Sequence, residues 1–182
     1  MVNDMCGNIG SGGSGSSGSR WPQIQSSSLP ELQGSEKQVA WANNIRNNYI
    51  ADLNNRIANG DIDYGDVESM YHSGLGTFLT NNANDTSAYD KQLSKIKQQN
   101  PELSSKDQRL KAEKYPREVY NKAVEARDNA KTETEGNKAF AKALAPTYKK
   151  WVEDALNGNS AKKAGQWIEK FKNSKYNTFY KK

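Results

Sequence analysis

The most regular pattern of hydrophobic and polar positions lies between Ser35 and Ala58. Polar residues there, Arg46 among them, fall mostly opposite an apolar stripe. Ser35 and Gln38 have the spacing of a capping box, and Gly60 suits the left-handed position that ends a helix. Such an Asn-rich helix is unstable alone, so its stripe must pack against later helices. The stripe recurs at steps of three and four and consists of Val39, Ala42, Ile45, Tyr49, Leu53 and Ile57.

Shorter segments with the same period follow, separated by Gly, Pro and polar stretches. Pro116 predicts either a kink or the first position of a new helix, and Pro146 predicts a new helix. Gly136 predicts a break, and Phe78 and Leu79 a small core contact. Besides the first helix, the predicted helices are one capped by Asp66 and ending near Tyr71, then 88–99, 105–115, 117–131, 139–144, 146–156 and a last one capped by Ser160.

These segments predict an all-α fold, a small irregular bundle of five to seven helices, because no stretch alternates as a strand does. The stripe of the first helix is expected to pack on the last two helices. Residues 1–28 contain a Gly/Ser run with little to bury and are predicted to form a disordered tail, within which Trp21 and Ile24 are able to dock on the bundle. Residues 29–182 are predicted to form a single helical domain with a basic C-terminal quarter.

Two parts of the chain resemble a known group. Residues 29–46 read LPELQGSEKQVAWANNIR, and they resemble a segment of small proteins from phages, plasmids and integrated elements. Members often end in a helix reading roughly Ser/Thr-Ala-Lys-x-Trp-Ile-Asp-Asn-Arg. Residues 164–170, AGQWIEK, resemble that ending, with Glu169 in place of its Asp. The resemblance implies a mobile-element origin and a packed pairing of the first and last helices, but no particular activity.

Charge is unevenly distributed along the chain. The net charge of +5 divides into +8 for residues 138–182, which hold eleven lysines and three acidic residues, and −3 for the remainder. Such asymmetry indicates an acidic partner, either a phosphate backbone or a carboxylate-rich protein surface. A solvated lysine-rich face is the ordinary alternative.

Several classes of protein are disfavoured by composition. Cys6 is the only cysteine, which excludes an intramolecular disulfide and a thiolate zinc cluster. No apolar run reaches the length of a membrane span, and the N-terminus lacks the pattern of a secretion signal. We therefore expect no membrane association and a cytoplasmic location in a bacterial host cell.

Catalytic motifs are few. His72 is the only histidine, so most catalytic constellations must include it, yet no recognised partner spacing accompanies it. Asp61, Asp63 and Asp66 have the spacing of a turn and fail both registers of a calcium loop, although a magnesium-dependent hydrolase is a third and weakest hypothesis. The sequence therefore predicts a protein that is not an enzyme and that has no cofactor and no metal site.

The C-terminal mixture of lysines and aromatics is the most function-like feature, because lysines neutralise phosphates and aromatic rings stack on bases. Trp167 and Phe171 are assigned to the core, whereas the later aromatics are left open between packing and binding. The first hypothesis is an accessory protein of a mobile element that binds nucleic acid. The alternative is a protein-binding inhibitor of a host defence system, of the anti-CRISPR kind. The predicted contact residues for nucleic acid or an acidic protein are Lys162, Lys163, Lys170, Lys172, Lys175, Tyr176, Phe179 and Tyr180.

Overall fold

The computed structural model of the protein describes residues 23–25, 28–72 and 88–180. The Gly/Ser run, Cys6, Trp21, Phe78 and Leu79 lie outside these residues. The described chain is all-helical, as predicted, and its one β-bridge joins Gln33 to Lys163. None of its helices is long and apolar enough to cross a membrane. Its six helices are α1 Glu36–Asn59, α2 Tyr64–His72, α3 Ala88–Gln99, α4 Ser105–Asp128, α5 Glu133–Leu156 and α6 Ala164–Phe171.

Both predicted ends of α1 are confirmed. The Ser35 hydroxyl accepts the amide of Gln38, and the Gln38 side chain accepts the amide of Ser35, which completes the capping box. Gly60 ends the helix at φ 74°, a conformation that costs a glycine no side-chain clash. Between these ends the apolar stripe packs against α6 and α5, and Ile50, which is 2% exposed, widens it.

Arg46 was placed on the polar face of α1, but the structure buries it. Only 6% of the residue is exposed. Its guanidinium donates to the Pro30 carbonyl at 2.8 Å and to the Asn43 side chain at 2.8 Å. Burial without a carboxylate partner lowers the pKa of Arg46. Arg46 thus fastens the extended segment before α1 onto the helix.

Ile24 docks on the bundle, as the sequence analysis allowed for this residue. Ile24 is 3% exposed and belongs to the core. The Asn54 side chain accepts the Ile24 amide at 3.0 Å and donates to the Ile24 carbonyl at 3.1 Å. One side-chain amide on α1 therefore fixes this extended residue in the way a neighbouring strand would.

The two predicted helices on either side of Pro116 are one helix, α4. Proline has no amide hydrogen, so the carbonyl four residues earlier, that of Ala112, has no helical donor. The buried Tyr71 hydroxyl donates to this carbonyl at 2.9 Å. A hydrogen bond from α2 thereby satisfies the group that the proline leaves unpaired. Pro146 likewise lies inside α5 rather than at a helix start.

Three local predictions about helix ends are wrong. Gly136 lies inside the first turns of α5 rather than at a break. A Cβ added to it would lie 3.1 Å from atoms of Arg127 in α4, so the close approach of the two helices favours glycine at this position. Ser160 does not cap α6, whose N-cap is Lys163. In α2 the N-cap is Asp63 rather than Asp66, because the Asp63 carboxylate accepts the Asp66 amide at 2.7 Å.

Candidate interface at the C-terminal segment

The last described residues, 172–180, are called here the C-terminal segment. α6 positions it, because Trp167 is fully buried and donates from Nε1 to the Ala161 carbonyl at 2.8 Å. The Tyr49 ring of α1 contacts Trp167 and Phe171, with centroid distances of 6.0 and 5.4 Å. These contacts confirm that Trp167 and Phe171 belong to the core, and they direct the chain after α6 back toward α1.

The C-terminal segment runs alongside α1 in the opposite direction. Its contacts move from Asp52 at its start, through Asn48 and Asn44, to Trp41 at its end. These four α1 residues are spaced three or four apart and therefore share one helix face. α1 thus contributes a row of polar and aromatic side chains to which the segment is fastened.

Asp52 binds the start of the segment. Its two carboxylate oxygens accept from Lys175 Nζ at 2.9 Å and from the Tyr176 hydroxyl at 3.0 Å. The hydrogen bond from Lys175 is the main cause of a lowered pKa at Asp52, and the same bond raises the pKa of Lys175. Burial raises the pKa of Tyr176. Of the predicted contact residues, these two are therefore engaged within the molecule.

Asn44 and Asn48 bind the middle of the segment through its backbone. Asn48 Nδ2 donates to the Tyr176 carbonyl at 2.8 Å, and Asn44 Oδ1 accepts the Thr178 amide at 3.1 Å. A side-chain amide offers both a donor and an acceptor, so it can hold an extended backbone without a paired strand. Asn44, Asn48 and Asp52, spaced four residues apart on one face of α1, were not among the predicted contact residues, although this spacing is visible in the sequence.

At the end of the segment, Trp41, Phe179 and Tyr180 form an aromatic patch. The Phe179 ring stacks on Trp41 at 6.4 Å and 20°, and Tyr180 meets Trp41 edge-on at 4.9 Å. Trp41 is itself fixed, because Nε1 donates to Asn177 Oδ1 at 2.9 Å. Phe179 and Tyr180 are 38% and 54% exposed, so the patch presents ring surface to solvent.

The predicted lysines lie at the two ends of α6 and at the start of the C-terminal segment. Lys162 and Lys163 lie at the start of α6 next to Gln33, whose amide donates to the Lys162 carbonyl at 2.7 Å. Lys170 is in the last turn of α6 and Lys172 follows that helix. Lys163 and Lys170 are seven residues apart, hence on the same helix face and about 10 Å apart along the axis. The structure therefore gives a basic surface rather than one compact lysine cluster.

The acidic turn before α2 is used structurally. Asp66 accepts the Asp63 amide at 3.1 Å and forms an ion pair with Arg56. Its carboxylate thus links the cap of α2 to the end of α1. In the described ranges, no group of three or more His, Cys, Asp or Glu side chains converges as a metal site requires.

His72 is also part of a packed cluster. Its Nε2 lies 3.2 Å from a Glu113 carboxylate oxygen, and its ring contacts Tyr71 and Tyr89 at 5.0 and 5.2 Å. These neighbours join the end of α2 to α3 and α4. The arrangement pairs a histidine with a carboxylate, and neither of its two ring neighbours is a serine or cysteine that it could activate as a nucleophile.

No family model, curated protein or solved structure matches this chain. The resemblance of residues 29–46 and 164–170 to proteins of mobile elements therefore stays a prediction. What the structure adds is a physical role for those residues, since they fasten the extended segment, α1 and α6 to one another.

Proposed function

We propose that the protein is a non-enzymatic accessory protein of a mobile element that binds single-stranded nucleic acid in the cytoplasm of a bacterial host. The exposed aromatic patch, at the end of a segment that follows the lysine-bearing helix α6, is the observation that supports this proposal. Unpaired bases can stack on the rings of Phe179 and Tyr180, whereas paired bases offer no free face. The mobile-element part rests on the sequence resemblance alone.

The patch suits this function because its rings are held in place before any ligand arrives. Trp41 is fixed by Asn177, and Phe179 packs on Trp41. A ring that is already ordered loses little side-chain entropy when a base stacks on it. Lys163 and Lys172 are exposed nearby in sequence and supply the charge that attracts phosphates.

An oligonucleotide titration tests the proposal. A labelled single strand should bind with an affinity that falls between about 50 mM and about 200 mM salt, as phosphate neutralisation requires. Replacing Phe179 and Tyr180 with Ala should weaken single-strand binding by roughly tenfold or more, because each stacked base contributes about 1–3 kcal/mol. Duplex binding should change much less.

Charge is tested separately with matched lysine variants. Replacing Lys163, Lys170 and Lys172 with Gln should flatten the salt dependence by about 2 in its logarithmic slope. Replacing Lys106, Lys114 and Lys122 of α4 changes the net charge equally and should leave the slope almost unchanged. Lys175 is kept, because its removal would release the segment from Asp52.

Two results would contradict the proposal. One is the absence of binding at low salt, where non-specific attraction is strongest. The other is equal weakening by the α4 control and by the C-terminal variants. A stable complex with a host protein that added oligonucleotide does not disrupt would instead support the protein-binding inhibitor.

A further inference from the structure

A second basic region lies away from α6 and the C-terminal segment. It is a cleft of about 410 Å³ between α3 and α5, with Tyr115 of α4 also in its wall. This volume falls within the range of roughly 300–1,000 Å³ that is typical of small-molecule sites. None of its lining residues belongs to α1, α6 or residues 172–180.

The charges around this cleft do not balance. Lys91, Lys95 and Lys150 line it, together with one carboxylate, that of Asp154. Asp154 pairs with Lys91 at 2.7 Å. Within the described part of the chain, Lys95 and Lys150 have neither an ion-pair partner nor a side-chain hydrogen bond. Two exposed ammonium groups therefore face one concave site whose single carboxylate is paired with Lys91.

The lysines of this cleft repel one another. Lys91 and Lys95 are four residues apart on α3, and like charges at that spacing repel. Lys150 adds a third amine from α5, at a different point on the wall. An anion in the cleft would relieve this repulsion, and a phosphate group, with several oxygens and up to two charges, can accept from more than one lysine at once.

The wall also contains aromatic surface. The half-buried Tyr115 and the nearly buried Trp151, which is 5% exposed, both line the cleft. The two rings are packed together, with centroids 6.1 Å apart. A ligand that joins a phosphate to a planar ring could contact the lysines with one end and the Tyr115 ring with the other.

We propose that the cleft between α3 and α5 binds a small phosphate ester that carries a planar ring, of the size of a nucleoside monophosphate. Lys95 and Lys150 bind the phosphate, Lys91 is oriented by Asp154, and Tyr115 contacts the ring. The site does not depend on the nucleic-acid function proposed for the C-terminal segment, because the two share no residue.

Calorimetric titration with AMP, adenosine and inorganic phosphate tests this site. AMP should bind more tightly than adenosine or phosphate alone by roughly tenfold, because only AMP engages both ends of the cleft. A double variant, Lys95→Gln with Lys150→Gln, should weaken AMP binding by at least roughly tenfold. Both lysines are exposed, so the variant should keep the helicity of the native protein.

The matched control is Lys97→Gln with Lys142→Gln, which removes one exposed lysine from each of the same two helices outside the cleft. This control, and the Phe179→Ala/Tyr180→Ala variant, should bind AMP as the native protein does. Absence of AMP binding at low salt would overturn the proposal. Equal weakening in the control would also overturn it, as would a cleft variant that loses oligonucleotide binding while AMP binding is unchanged.

Discussion

At the scale of single residues, the least expected feature is the proline in the middle of α4. Pro116 is fully buried, and a proline within a helix ordinarily costs about 3 kcal/mol. Part of that cost is the unpaired carbonyl, and here the Tyr71 hydroxyl pairs with it. α2 is thereby joined to α4 by a hydrogen bond to a carbonyl that would accept a backbone amide in a regular helix.

A double-mutant cycle tests this link. Tyr71→Phe should destabilise the protein by about 1–3 kcal/mol, because it leaves the buried Ala112 carbonyl without a donor. With Pro116→Ala in place, a helical amide becomes available for that carbonyl, so Tyr71→Phe should cost less. Urea unfolding of the four proteins gives the coupling. Tyr115→Phe is the matched control, and strict additivity of the cycle would refute the link.

At the scale of elements, Tyr49 makes the aromatic contacts between α1 and α6. The Trp167 ring is fully buried and lies 6.0 Å from Tyr49. Trp41, by contrast, packs on Phe179 and Tyr180 at the surface. Trp41 in α1 and Trp167 in α6 therefore make different contacts.

Trp167→Ala should destabilise the protein by about 3–5 kcal/mol, as is typical for a fully buried tryptophan. Combined with Tyr49→Ala it should show a coupling of about 0.5–1.5 kcal/mol, the range for aromatic pairs. Trp41→Ala should cost less and be additive with Trp167→Ala within about 0.5 kcal/mol. Thermal unfolding of the single and double variants gives these values, and a large Trp41–Trp167 coupling would contradict the arrangement.

Helix ends set by neighbouring residues could be predicted from the sequence. The capping box at Ser35, the glycine at position 60 and the bounds of α3 all follow from spacings of a few residues. Pro116 and Gly136 could not be interpreted in this way. The partner of Ala112 is 41 residues away from it in sequence, and the reason for Gly136 is the adjacent helix α4.

The same distinction holds at the candidate interface. Composition alone points to lysines and aromatics near the end of the chain. It does not reveal that Asp52 engages Lys175 and Tyr176, because that contact spans more than 120 residues. Arg46 shows the opposite error, since a charge on a helix was assigned to solvent although its donors bind Pro30 and Asn43.

At the scale of the whole molecule, the chain is organised as a helical core with two extended segments fastened to α1. Residues near Ile24 are held by Asn54, and residues 175–180 by the row from Asp52 to Trp41. Ile24 is also buried in the core, whereas the C-terminal segment is fixed largely by hydrogen bonds near the surface, so the C-terminal segment should open more readily than the helices do. The proposed interface therefore depends on the less stable part of the fold.

Acid should release the C-terminal segment before the bundle unfolds. The pKa of Asp52 is lowered in the folded state, chiefly by the hydrogen bond from Lys175. A carboxyl group of this kind contributes stability above its unfolded pKa, about 3.9, and loses that contribution as pH falls through its folded pKa. Protonated Asp52 no longer attracts Lys175, so the segment and the aromatic patch should loosen only as pH falls below about 3.9 and through the lowered folded-state pKa of Asp52.

The indole N–H resonances report this change separately for the segment and for the core. The Trp41 indole donates a hydrogen bond to the Asn177 side chain in the segment, whereas the Trp167 indole donates one to the Ala161 carbonyl just before α6. As pH falls, the Trp41 resonance should shift while that of Trp167 stays in place. In Asp52→Asn the Trp41 resonance should already be shifted at neutral pH, because Lys175 has lost its charged partner, and it should show no acid step. An acid step that persists unchanged in Asp52→Asn would show that another carboxyl group holds the segment.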